Sequence, residues 1–187
     1  MNWTQRRKQQ ARRRAARRAL LVLAAGLAVL SLAGLFLGVE QSVSGEAELS
    51  RPPETVWRVL MDFDGMPLWR SDLRGLERLP DLAGRPAWRE IGNGGGRVIE
   101  LAAAEPPSRL VLRDTRDGVP AFPLRTFELA ASLGGTRITL TERSRVLNPL
   151  LRVRYRLLPP RARITRLLHD LELRLNGGRR EVATAPR

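Results

Sequence analysis

From Ala19 to Val39 the chain shows no polar period at all: ALLVLAAGLAVLSLAGLFLGV holds 21 residues without a charge. A helix of that length rises roughly 31 Å, close to the ~30 Å hydrocarbon thickness of a bilayer. Its single polar side chain, Ser31, can donate its hydroxyl proton to a carbonyl one turn back, so nothing in the run demands water. The pattern then changes to period two. Val43, Gly45, Ala47 and Leu49 alternate with Ser44, Glu46, Glu48 and Ser50, which predicts a strand over Val43–Ser50 with one buried face. Pro52-Pro53 ends that strand and opens a helix whose Val56, Val59, Leu60 and Phe63 recur at helical spacing. Asp64-Gly65 and Pro67 close it before a short helical turn near Leu68 and Trp69.

Six further alternating segments follow: Leu73–Leu79, Ala87–Ile91, Arg97–Ala103, Arg109–Thr115, Leu124–Ser132 and Thr136–Val146. Gly94-Gly95-Gly96, Glu105-Pro106-Pro107, Asp117-Gly118 and Gly134-Gly135 supply the reversals, and reversals this short predict an antiparallel meander. Asn148-Pro149 and Asn176-Gly177-Gly178 bracket a final helical segment that Pro159-Pro160 must break or kink. Beyond the break, Ile164, Leu167, Leu168, Leu171 and Leu175 share an arc of roughly 100°, the stripe of a helix packed on a sheet.

This order of elements is that of the helix-grip fold, an α+β architecture in which a curved antiparallel sheet wraps a long C-terminal helix. The chain also resembles the START-like (SRPBCC) superfamily, particularly its polyketide cyclase/dehydrase and lipid-transport branch. The residues that carry the resemblance are Pro53, Val56, Trp57, Leu60, Asp62, Pro67 and Trp69 in PPETVWRVLMDFDGMPLW, with ITRLLHDLELRL at the far end, and it covers about residues 42–176. It implies an apolar cavity between sheet and helix that takes lipids, polyketides, quinones or similar molecules. Trp69, Trp88, Leu110, Leu112, Phe127 and Leu129 are then expected to wall the ligand site, while Ala102, Ala103, Ala130 and Ala131 leave it space. The alternative is that the same residues close-pack a filled core. The expected organisation is a basic tail over 1–18, a transmembrane helix over 19–39, the helix-grip domain over 42–176 and a flexible tail over 177–187.

Charge adds a direction. Of the formal +14, eight basic residues stand before Ala19 without an acid among them, while Glu40, Glu46 and Glu48 follow the apolar run before Arg51. That asymmetry orients a single span with its N-terminus in the cytoplasm and its domain periplasmic or extracellular. A cleaved signal peptide is the competing reading: Val43 and Gly45 are tolerable before a cut and Arg17-Arg18-Ala19-Leu20-Leu21 loosely resembles a twin-arginine signal, although no Ala-x-Ala pattern is present. An Arg cluster is also the footprint of nucleic-acid binding, but beside an apolar run it reads as topogenic, and no nucleic-acid partner is expected. Gly34 and Gly38 have the spacing that lets two spans pack as a weak homodimer. Glu40 to Ser44, about five residues reaching roughly 17 Å, would keep the domain beside the bilayer. There Arg152, Arg154, Arg156, Arg161 and Arg163 are expected either to meet anionic headgroups or to form a solvated basic surface.

Candidate chemistry is sparse. The chain has no cysteine and one histidine, His169, so neither thiolate nor multi-histidine metal sites can form, and no metal or cofactor is expected. His169 lies off the leucine stripe and is expected to be exposed. The glycines after Ile91 lack the helix and Lys-Ser/Thr of a phosphate loop and read as a hairpin turn. Glu100, Asp114, Glu128 and Glu142 lie on strands with apolar opposite faces, so most are expected to face solvent, leaving the catalytic residues unknown. Three functions remain: a membrane-anchored binding or transfer module for a hydrophobic small molecule or lipid, a cyclase/dehydratase-like enzyme using the same cavity, or a ligand-free scaffold. A cluster of buried ionisable groups would favour the enzyme over the binder.

Overall fold

The computed structural model describes residues 3–92, 95–115, 123–158 and 161–176. The turns expected at Gly94 and Asp117-Gly118, the Pro159-Pro160 break and the 177–187 tail lie outside these residues. In chain order the elements are α1 (Trp3–Phe36), β1 (Glu40–Leu49), α2 (Pro53–Met61), α3 (Met66–Trp69), β2 (Leu73–Leu82), β3 (Arg85–Gly92), β4 (Gly95–Glu105), β5 (Arg109–Thr115), β6 (Leu124–Ser132), β7 (Gly135–Arg145), α4 (Pro149–Leu157) and α5 (Arg161–Leu175). They form two compact units, Met1–Val39 with Val146–Leu158, and Glu40–Arg145 with Pro159–Arg187.

The larger unit is one curved seven-stranded antiparallel sheet ordered β1-β7-β6-β5-β4-β3-β2, with α5 against its β1–β7 side. First and last strands pair, Gly45 opposite Leu140 and Leu49 opposite Thr136, while register shifts in β2–β3 and β4–β5 bend the strands around the core. Every strand delivers alternate residues to that core. Leu49, Leu110, Leu112, Phe127, Leu129, Ile138 and Leu140 meet the α5 stripe of Ile164, Leu167, Leu168, Leu171 and Leu175 in one apolar cluster. Gly45 lets α5 come close, because a Cβ there would lie 2.7 Å from Ile164 Cγ2. Val56 and Leu60 of α2 are buried in the same cluster, as their spacing predicts.

The smaller unit pairs α1 with α4. The stretch Ala16–Phe36, of mean hydropathy 2.5, is long and apolar enough to cross a membrane, a property that N-terminal signal sequences share. The helix also runs back through the basic tail, whose Arg, Gln and Ala residues are all good helix formers. Asn148 caps α4 by accepting hydrogen bonds from the backbone N–H groups of Leu150 (2.9 Å) and Leu151 (3.4 Å), with Pro149 in the first turn. The Pro149 backbone rests on Gly34, where any Cβ would collide with the Pro149 carbonyl. Gly34 thus serves a contact inside the chain, and the face assigned to a second span is covered there by α4.

Two boundaries differ from expectation, while the expected interruption of the terminal helical segment is found. β1 starts at Glu40, so only Leu37 to Val39 separate it from α1. The terminal helical segment is two helices, and only α5 grips the sheet. Residues 146–158, expected inside the helix-grip domain, make their contacts with α1.

Gly135 sits at φ 141° with its Cα against the Leu49 carbonyl, a conformation and a clearance that exclude a side chain. Gly135→Ala is expected to cost about 2–3 kcal/mol in chemical unfolding of the detergent-solubilised chain, while Gly134→Ala, which meets open space, stays within about 0.5 kcal/mol.

Candidate ligand-binding site

The six expected wall residues come together. Trp69, Trp88, Leu110, Leu112, Phe127 and Leu129 are all buried in the single core cluster of the larger unit. Phe63 stacks on Trp88 with ring centroids 3.8 Å apart and planes 10° apart, and the Arg78 guanidinium stands 5.0 Å from the Trp88 ring centre. Ala130 and Ala131, expected to open internal space, are instead exposed near the end of β6. Among the described residues five buried side-chain polar atoms lack a hydrogen-bond partner in the protein. Glu90 Oε2, Arg125 Nη1 and Arg163 Nη2 still face an opposite charge, whereas Trp69 Nε1 and Ser71 Oγ face none.

A charged row crosses the other end of the same inner face. Glu90 on β3, Arg97 on β4, Asp114 on β5, Arg125 on β6 and Glu142 on β7 alternate in sign from strand to strand. Glu90, Asp114 and Arg125 are each about 1% exposed. Arg97 lies 3.0 Å from Glu90 and 3.2 Å from Asp114; Arg125 lies 3.4 Å from Asp114 and 3.2 Å from Glu142. Two further arginines join from outside the strands. Arg70, following α3, reaches Glu90 at 2.5 Å and Asp72 at 2.8 Å; Arg163, in the first turn of α5, stands 3.7 Å from Glu142 and 3.9 Å from Asp114. Asp170 of α5 accepts the Ser71 backbone N–H at 2.6 Å, tying that helix to the segment after α3.

The expectation that most strand carboxylates face solvent is therefore wrong for Asp114 and Glu100, which are buried, and for Glu142, whose side chain is 15% exposed; of the four, Glu128 alone is exposed. Glu100 is covered on the outer face by Arg113 at 2.7 Å and Arg85 at 3.4 Å. The missed signal was parity. Asp114 follows Leu110 and Leu112 at steps of two, Glu142 follows Ile138 and Leu140, and Arg125 precedes Phe127 and Leu129, so each shares its apolar neighbours' face.

Burial alone would raise the Glu90 carboxyl, but the cations of Arg125, Arg70 and Arg97 outweigh it and hold the group down at about 2. Arg163 is the loose member. Burial, with Arg125 and Arg97 nearby, lowers its guanidinium to about 10 despite Glu142 and Asp114. Of the arginines expected at a membrane surface, Arg154, Arg156 and Arg161 are exposed. Arg152 is buried with its donors spent on backbone carbonyls, and Arg163 belongs to the charged row. His169 is exposed, as its place off the stripe predicts.

Residues 40–174 match the family model described as polyketide cyclase / dehydrase and lipid transport. No curated protein matches the chain. Among solved structures it is similar to a Mesorhizobium loti protein, with 22% identity over 73% of this chain and 98% of that one at a TM-score of 0.56. A Thermus thermophilus protein aligns at 21% identity over 73% and 98% of the two chains, TM-score 0.58. The di-domain aromatase/cyclase StfQ of the steffimycin biosynthetic pathway aligns at 8% identity over 74% of this chain and 51% of its own, TM-score 0.59. At these identities the likeness is one of fold.

Glu90→Gln leaves Arg125 and Arg70 short of a counter-charge in a buried site, and is expected to cost about 3 kcal/mol at neutral pH. Because the folded carboxyl is depressed from 4.5 to about 2, its contribution is complete above about pH 4.5 and fades as pH falls towards 2. Melting temperatures across that window should converge for wild type and Glu90→Gln; curves that stay parallel would place the acid-sensitive group elsewhere.

Proposed function

The chain belongs to the polyketide cyclase/dehydrase and lipid-transport family, and we propose that it is a membrane-anchored binding or transfer module for a hydrophobic small molecule or lipid. The apolar body of that molecule lies among Trp69, Trp88, Leu110, Leu112, Phe127 and Leu129, and its polar end accepts hydrogen bonds. The observation that carries this reading is the buried donor Trp69 Nε1, left without an acceptor in an otherwise apolar core. A buried donor without an acceptor costs about 1–3 kcal/mol, and a ligand oxygen removes that cost. α1 anchors the chain to the membrane, with Leu37 to Val39 between it and β1.

The charged row is the one observation that favours a cyclase/dehydratase-like enzyme. Its chemistry points the other way. A carboxylate held at about 2 is too weak a base to take a proton from carbon, and Glu90, Asp114 and Glu142 each already face arginine. The row fixes charge in place rather than passing protons.

Native mass spectrometry of the gently extracted full chain is expected to show a bound hydrophobic molecule, and Trp69→Phe to weaken its retention roughly fivefold, the worth of ~1 kcal/mol for one hydrogen bond. An empty protein that also takes up nothing from liposomes would end the binding reading.

A further inference from the structure

We infer that α4 lies in the membrane interface, with Leu150, Leu151, Leu157 and Leu158 in the outer acyl layer of the bilayer that α1 enters and Arg154 and Arg156 at the phosphate level. This rests on α1 being a membrane span, and both helices belong to one compact unit.

The pattern of exposure comes first. Leu150 and Leu151 are 36% and 42% exposed, and Leu157 and the C-cap residue Leu158 reach 71% and 73%. At about 100° per residue these four fall within an arc of roughly 120°, nearly opposite Arg152, with Arg154 at the middle of the arc and Arg156 outside it. A nine-residue helix that presents its leucines outward and buries an arginine inverts the arrangement a water-facing helix takes.

The buried arginine accounts for the inversion. Arg152 Nη1 donates to the carbonyls of Gly34 and Leu37, both at 3.3 Å; Nε donates to Val146 O at 2.8 Å and Nη2 to Leu147 O at 2.9 Å. Gly34 and Leu37 belong to the C-terminal end of α1, where carbonyls lack intrahelical partners and a cation is favoured by the helix dipole. Val146 N–H closes the junction on Val39 O at 2.8 Å. One guanidinium thus fastens the start of α4 to the end of the span, and with Pro149 seated on Gly34 the two helices share one exterior.

Both helices expose large apolar side chains. On α1 these are Leu30, Leu32, Leu35 and Phe36, and on α4 the four leucines. Where the first surface meets acyl chains, the second, fixed to its end, is at the boundary between chains and headgroups. Arg154 and Arg156 are exposed on α4 and complement anionic lipid, and the long stem of Arg154 can lie among the leucines while its guanidinium reaches the headgroups. The occupant of the leucine face is therefore the lipid of the anchoring membrane.

The chain contains no cysteine, so single cysteines take a nitroxide label without background. The full chain, with Leu27→Cys in the span, Leu150→Cys or Leu157→Cys on α4, or Leu133→Cys in the exposed turn after β6, would be reconstituted in vesicles of phosphatidylcholine and phosphatidylglycerol. Relaxation by oxygen, which partitions into lipid, is compared with relaxation by a water-soluble nickel chelate. The expected result is that both α4 labels follow Leu27→Cys in favouring oxygen, at shallower depth, while Leu133→Cys favours nickel. If the α4 labels behave like Leu133→Cys while Leu27→Cys still favours oxygen, the span stands and the interfacial helix is overturned. If Leu27→Cys also favours nickel, both readings fall together. Labels on α4 shielded from both relaxants would mean that protein, a second copy or another partner, covers the face, and that overturns the proposal as well.

Discussion

A fully buried guanidinium governs the larger unit. Arg125 sits on a strand between Leu124 and Phe127 with 1% of its surface exposed, and no water reaches it to share the charge. Transfer of such an ion from water costs several kcal/mol, so the fold is tenable only if carboxylates arrive from neighbouring strands with it. Glu90, Asp114 and Glu142 do so, from β3, β5 and β7. Because each of β3 to β7 contributes one charge, a slip of one residue in any of them would turn that charge outward and leave its partners buried alone. The row therefore constrains register more tightly than the leucines beside it, which tolerate exchange among themselves. Its net contribution to stability is small for the same reason that its loss is costly.

The same tightness decides what the site can do. An inner face with leucine and tryptophan at one end and a locked ionic row at the other is polarised along its length, and a guest that is itself polarised fits it better than a pure hydrocarbon. Arg125 spends all three nitrogens on carboxylates, Nη1 on Glu90, Nη2 on Asp114 and Nε on Glu142, which leaves Trp69 Nε1 as the donor open to a guest. Arg163 is differently placed. It is the member contributed by α5, its ion pairs are the longest in the row, and its guanidinium gains less from carboxylates than burial and the other arginines take away. The row is thus rigid across the strands and slack where the helix meets it.

Most of the strand plan was legible because alternation over seven or more residues leaves little freedom. β5 and β6 begin and end where the pattern places them, and the α5 stripe is buried as drawn. The charged row escaped because a carboxylate on a strand was read by its chemistry rather than its parity. Asp114 is polar, but its step of two from Leu112 puts it indoors, and only the partner strands, unknown from one segment, make that tolerable. Gly34 shows a related limit. A small residue in an apolar helix announces a close approach but not by whom, and the approaching backbone is that of Pro149, 115 residues on in the sequence.

Arg152 shows the same limit and what lies beyond it. In sequence it is one of five arginines around a proline pair, and charge alone assigns all five to a basic surface. Geometry separates them by what each can reach: Arg163 finds carboxylates in the cup, Arg152 finds carbonyls at the end of α1, and Arg154, Arg156 and Arg161 find solvent. The consequence reaches past side-chain placement. α4 falls inside the stretch that matches the family, yet its contacts belong to the N-terminal helix outside it, so the chain passes between its two units at residues 39–40, 145–146 and 158–159. A leash attached at one end of a domain adds nothing to its interior. Here the apolar helix completes the hydrogen bonding of Arg152, a residue inside the family match, so part of that stretch is built around α1.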